Sequence, residues 1–125
     1  MLVALVGGVR CAPAPGLKGI CPSCGQAALA KCGPTNAWHW SHQGQRHCDP
    51  WWDNETDWHR GWKQCFDIQW HEIPQWDDGG EKHVADVKTS SGMVLEFQNS
   101  PMTIEEMQSR ERFYKDMVWV VNARL

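Results

Sequence analysis

The chain contains no run of ~18 apolar residues, the length a membrane-spanning helix needs. Its apolar opening, Met1 to Val6, lacks the basic start and the length of a secretion signal. Both absences predict a soluble protein of the cytoplasm. Cationic excess is missing as well. The formal net charge is −3, so the chain has no global basic footprint for nucleic acid, and any such contact must come from a local patch. Internal repeats and low-complexity tracts are absent. Tyrosine and phenylalanine are scarce, one and three residues, against nine tryptophans that cluster mostly between Trp38 and Trp76. Such large aromatics can fill a small core or stack on bases, and core packing is the more usual role. A length of 125 residues fits one compact domain with a modest core and a small appended module.

Six cysteines are present, and in a cytoplasmic chain they argue against a disulfide framework. Cys21-Pro-Ser-Cys24 has the spacing of a zinc knuckle, and Gly25 suits the tight turn that follows. A second ligand pair should arrive a dozen or more residues later. His39 and His42 do so, and His47 and Cys48 lie just beyond; all four are eligible. The stretch has no carboxylate before Asp49, which favours a structural site over a catalytic one. Cys11, Cys32 and Cys65 read as small, partly buried thiols.

In chain order, Met1 to Cys11 predicts two short strands around Gly7-Gly8, and Ala12 to Gly16 an extended connection. The segments Ala27 to Cys32 and Ala37 to Trp40 predict a hairpin on which His39 faces away from Trp38 and Trp40. A helix is predicted from Trp51 to Phe66, capped by Asp53 or Asn54, with Trp58, Trp62, Cys65 and Phe66 on its apolar side. Glu55, His59 and Lys63 are spaced by four on another face, an ordinary solvated face in most helices. Ile68 to Pro74 alternates like a strand, and Asp77 to His83 contains a turn. Thr103 with Glu106 three residues on predicts a capped helix, and Met117 to Val121 a buried strand.

The segment Val84 to Ser100 carries the chemistry. It predicts two strands joined at Ser90-Ser91-Gly92, with Asp86 on the first and Glu96 and Gln98, two apart and on one face, on the second. The turn brings Asp86 near Glu96. Carboxylates so placed can hold Mg²⁺ through oxygen ligands.

Together, C-P-S-C-G (21 to 25), H-W-S-H (39 to 42), Cys48, E-T-D-W-H-R-G-W-K (55 to 63), H-V-A-D-V (83 to 87), E-F-Q-N-S (96 to 100) and R-E-R-F-Y (110 to 114) resemble the CoiA-like competence protein family. Its members look like PD-(D/E)XK nucleases fused to an N-terminal zinc-finger-like segment. The resemblance implies an α/β fold: a small mixed β-sheet flanked by helices, a restriction-endonuclease-like core over 51–125, and a zinc-binding β-hairpin module over 1–50. It implies Cys21, Cys24, His42 and Cys48 as zinc ligands, with His39 as the alternative. Glu55 would be the helix-borne acid, Asp86 the central acid and Glu96 the second acid, the three sharing Mg²⁺ or Mn²⁺. His59 and Lys63 would extend along the helix toward substrate. Gln98 stands where such enzymes usually have lysine, and a glutamine can hydrogen-bond but carries no charge. The chain also stops soon after its last strand, where a terminal helix would follow. The implied activity is phosphodiester hydrolysis in DNA recombination, uptake or repair. The implied partners are single-stranded, duplex or junction DNA and recombination or competence proteins. A zinc-containing DNA-binding or protein-interaction module that keeps the fold without catalysis is the second expectation.

Overall fold

A computed structural model describes residues 1–44, 48–49, 51 and 55–123. The described chain is mixed α/β, with two sheets and two α-helices. The first sheet is antiparallel throughout, in the order β2-β1-β3-β4-β5, from β1 (Ala4–Val6), β2 (Val9–Cys11), β3 (Lys18–Ile20), β4 (Ala27–Lys31) and β5 (His39–His42). Val6 pairs with Val9 across Gly7-Gly8, whose φ values of 58° and 80° are those a two-residue hairpin turn demands. Gly19 is required for a different reason: a Cβ there would lie 2.8 Å from the carbonyl oxygen of Leu5. Ala4, Ala28 and Trp40 form this sheet's core, and the Trp40 indole N–H donates to the Cys11 carbonyl at 3.1 Å.

The second sheet has the order β6-β7-β8-β9, built from β6 (His71–Trp76), β7 (Lys82–Lys88), β8 (Val94–Gln98) and β9 (Met117–Val121). The first three strands form an antiparallel meander. Helix α2 (Ile104–Tyr114) then crosses over and lays β9 parallel to β8. Ala85, Val94, Phe113 and Tyr114 make its core, with Trp51 and Met117 packed against them. The two sheets meet along β6. The backbone N–H groups of Leu2 and Val3 donate to the Glu72 carboxylate, and the Arg10 guanidinium donates to the carbonyls of His71 and Glu72.

Several local expectations change. Helix α1 runs Asp57–Lys63, shorter than predicted, and Thr56 caps it: its hydroxyl accepts from the His59 N–H while His59 Nδ1 accepts from the Thr56 N–H. Asp53 and Asn54, the caps expected from sequence, lie outside the described residues. Ile68 to Trp70 is a 3-10 turn, and the strand starts only at His71. Among the described residues β9 is an edge strand rather than a buried one, and Val121 is 61% exposed. The largest change concerns α1. Its buried residues are His59 and Lys63, while Trp62 is 39% exposed. The tryptophan side rests on Phe97 through stacked and edge-on contacts, and the polar side turns into the protein.

Candidate metal centre and acidic cavity

The knuckle turn forms as its residues dictate. Gly25 adopts φ 73°, its N–H donates to the Cys21 carbonyl at 3.0 Å, and the Cys21 N–H donates back to Gln26 at 2.8 Å. Strand β5 brings His42 beside this turn, and Cys48 completes the group. The ligand atoms of Cys21, Cys24, His42 and Cys48 all lie within 4.8 Å of one another. The Cys21–Cys48 sulfurs are 3.5 Å apart, and Cys48 Sγ is 3.1 Å from His42 Nε2. Tetrahedral zinc with sulfur at ~2.3 Å spaces its thiolates at about 3.8 Å, so the group is the right size. Burial, with the neighbouring Cys21 and Cys24 thiols, pushes Cys48 up to about 12. Crowded thiols of this kind ionise together only when a cation offsets their charge. The cluster could therefore hold a zinc ion. His39 does not take part: its Nδ1 lies 2.9 Å from the Ala37 carbonyl, and it is outside the group. His47 lies outside the described residues. Cys11 and Cys32 are half-buried free thiols apart from it, as expected, whereas Cys65 is exposed, because α1 ends at Lys63 and leaves it outside the helix.

One cavity runs from this cluster to the acidic residues. Cys21 and Cys48 line one end; Glu55, His59, Lys63, Glu72, Asp86, Glu96 and Gln98 line the rest. All six sequence-predicted catalytic residues thus face a common space. Lys63, only 3% exposed, lies at its centre. Its Nζ is 3.1 Å from Glu55 Oε2, 3.2 Å from Glu72 Oε2 and 3.9 Å from Asp86 Oδ1.

The strands explain why these carboxylates meet. Pairing of β6 with β7 sets His71 against Val87 and Ile73 against Ala85, so Glu72 stands opposite Asp86. β7 pairs with β8 at Val87–Leu95 and Lys88–Val94. Beyond them, side chains take over from ladder bonds. The Asp86 N–H donates to Glu96 Oε2 at 2.9 Å, and the Phe97 N–H donates to Asp86 Oδ2 at 2.9 Å. Arg110, from α2, donates to Glu96 Oε1 at 3.3 Å. Gln98 donates to the Ser100 carbonyl. His59 Nδ1 accepts from the Thr56 N–H, which leaves Nε2 as the ring nitrogen able to donate.

The charges are strongly coupled. Burial alone would lower Lys63, but Glu72, Asp86 and Glu55 outweigh it and raise the ammonium above its ordinary value. Burial works against the Glu72 carboxylate too, yet Lys63 and the Leu2 N–H hold it at about 2. Burial raises Asp86 in spite of Lys63 and the Phe97 N–H. Glu96 lies well above the ordinary range through burial and the adjacent Asp86.

Sequence reasoning missed Glu72. It has φ 51°, an uncommon backbone for a residue other than glycine and often a mark of a functional constraint. The one sequence signal was a lone acid inside an otherwise strand-like stretch. Arg110 was visible only as part of a motif, without a role. The expected cation among the acids is, in this geometry, first of all the Lys63 ammonium. Among the described residues, only the cysteine–histidine cluster brings three or more metal-ligating atoms close together. A scan against protein-family models, a search of curated proteins and a search of solved structures each found no match.

Proposed function

We propose that the chain is a metal-dependent DNA endonuclease of the CoiA-like type, with a restriction-endonuclease-like core and a structural zinc. The observation that carries this reading is the meeting of Glu55 and Asp86, from a helix approach and a distant strand, on one Lys63 ammonium in a cavity shared with Glu96 and Gln98. Two carboxylate oxygens among the described residues could serve a hard divalent cation, a third ligand being supplied by water or substrate. Glu55 Oε1 is buried without a hydrogen-bond partner, and Asp86 Oδ1 has Lys63 only at ion-pair distance. Glu55 and Asp86 would hold Mg²⁺ or Mn²⁺, with Glu96 behind Asp86. Bound there, such a cation supplies Lewis acidity and a more acidic water for attack on phosphorus.

The remaining steps belong to the chain's own groups. Lys63 brings the positive charge that Gln98 lacks, from the helix rather than from the strand. Its raised pKa makes it a fixed cation that stabilises negative charge on a phosphate, not a proton acceptor. Gln98 can donate an amide N–H to a phosphate oxygen or orient a water. His59, through Nε2, can donate toward the scissile group.

A second reading, a non-catalytic zinc-containing DNA-binding or interaction module, is favoured by the same Lys63, which already neutralises the carboxylates, and by the net charge of −3. A supercoiled-plasmid nicking assay with Mg²⁺ or Mn²⁺ separates the two. The nuclease nicks with either metal and loses the activity in Asp86→Ala while keeping its zinc. DNA binding without nicking in both metals establishes the second reading.

A further inference from the structure

The cysteine–histidine cluster and the carboxylates are joined by a short, buried connection that neither zinc binding nor phosphodiester cleavage by itself requires. Asp49 directly follows the ligand Cys48. Its Oδ2 accepts the Val84 N–H at 2.7 Å, and its Oδ1 accepts from Trp51 N–H at 2.9 Å and pairs with His83 Nδ1 at 2.6 Å. The other ring nitrogen of His83 lies 2.7 Å from Glu81 Oε1, and Trp51 stacks flat on the ring at 3.2 Å between centroids. Val84 and Asp86 are two apart on β7 and line the same cavity. Trp51 reaches the second strand: its carbonyl accepts from Arg110, whose other nitrogen donates to Glu96. From the opposite side of the cluster, Lys82 donates to the Ser23 carbonyl inside the knuckle at 2.8 Å.

We propose that Asp49 is a positioning residue that passes the geometry of the Cys21–Cys24–His42–Cys48 centre to Asp86 and, through Trp51 and Arg110, to Glu96. The physical basis is the number of donors on one carboxylate. A backbone amide of β7, the His83 ring and the turn at Trp51 all converge on a side chain whose neighbour in sequence is a metal ligand. Occupancy of the zinc site thereby fixes the register and pitch of the strand that presents the acid. The consequence for catalysis rests on the nuclease reading above; the mechanical link does not.

Hydrogen exchange of the full-length, zinc-loaded protein, read by mass spectrometry, tests the link. In Asp49→Ala with zinc retained, peptides covering 82–88 exchange about tenfold faster than in wild type, while α2 (104–114) is unchanged. Chelating zinc from wild type reproduces that pattern, and chelating it from Asp49→Ala adds much less over 82–88 than in wild type, only the Lys82–Ser23 bond remaining as a link. Asp49→Asn, which keeps one acceptor oxygen, falls between. Nicking adds the catalytic arm: turnover falls about tenfold in Asp49→Ala with DNA affinity unchanged, and Asp49→Asn restores part of it. Unchanged exchange over 82–88, an equal rise in α2, or an undiminished chelation effect in Asp49→Ala each overturns the proposal. So does failure of both variants to fold with zinc bound, which would make Asp49 a folding residue. If wild type does not nick, the nuclease reading falls, and the exchange arms still decide the link.

Discussion

Replacing Lys63 by methionine removes the cation that Glu55, Glu72 and Asp86 share and keeps most of the side-chain volume. Breaking a buried ion pair from one side costs about 3–5 kcal/mol, because the partner charge stays buried and uncompensated. The hold on Glu72 is one part of this. Glu72 is held at about 2 against an ordinary 4.5. That gap converts to about 3 kcal/mol of stabilisation of the ionised form, with Lys63 the largest favourable contributor beside the amino terminus and the Leu2 N–H. Urea unfolding at pH 7 should therefore show Lys63→Met destabilised by about 3 kcal/mol or more.

The pH dependence sharpens the test. Glu72 has a folded pKa below its unfolded one, so its contribution is complete above about 4.5 and drains away as the pH falls toward about 2. Asp86 and Glu96 are raised, so they take up protons earlier in the folded state, and stability from them grows as the pH falls. Without the ammonium, protonation becomes the only relief for the crowded acids. The penalty of Lys63→Met should thus be largest near pH 7 and shrink steadily toward pH 4. Adding Glu72→Gln should recover part of it, because the most dependent charge has gone too. A penalty under ~1 kcal/mol, or one that stays flat from pH 4 to 8, would falsify the shared-cation account of the cavity.

Two further outcomes follow from the first sheet. Purified protein should carry near-stoichiometric zinc by metal analysis, lost on replacing Cys21, Cys24, His42 or Cys48 by alanine and retained in His39→Ala; the reverse result for His39 would redraw the ligand set. Gly19→Ala should destabilise the chain by about 1–3 kcal/mol in thermal unfolding, since its Cβ meets backbone rather than a movable side chain. An unchanged midpoint would mean that β1 and β3 separate without strain.

Much of this arrangement was legible because local chemistry specifies it. Gly7-Gly8 can hardly be anything but a tight turn between alternating apolar residues, and Cys21-Pro-Ser-Cys24-Gly25 dictates its own fold. Thr103 caps α2 by accepting the Glu106 N–H, but the Glu106 carboxylate accepts from Arg110 instead of closing the capping box that the spacing predicts. The hairpin around Gly92, with φ 91°, does bring Asp86 onto Glu96. Glu72 was illegible for the opposite reason. Its place depends on a positive φ that no propensity suggests, and on partners at Leu2, Val3 and Lys63 supplied by separate parts of the fold. The eligible ligands His39 and His42 could be told apart only by which face of β5 the knuckle meets.

Helix α1 shows where pattern reasoning breaks and why. Its tryptophans follow helical spacing and should by that rule point inward, with Glu55, His59 and Lys63 in water. The orientation is reversed because α1 packs over a cavity lined by carboxylates, not over an apolar core. Burying Lys63 there is tolerable only with anionic partners on several sides, and Glu72 and Asp86 supply them from β6 and β7. Trp62 can stay at the surface because Phe97 provides a stacking support that keeps much of its area covered. Of the two α-helices among the described residues, one thus turns its charged face inward, and the anionic partners from β6 and β7 are what make that orientation stable.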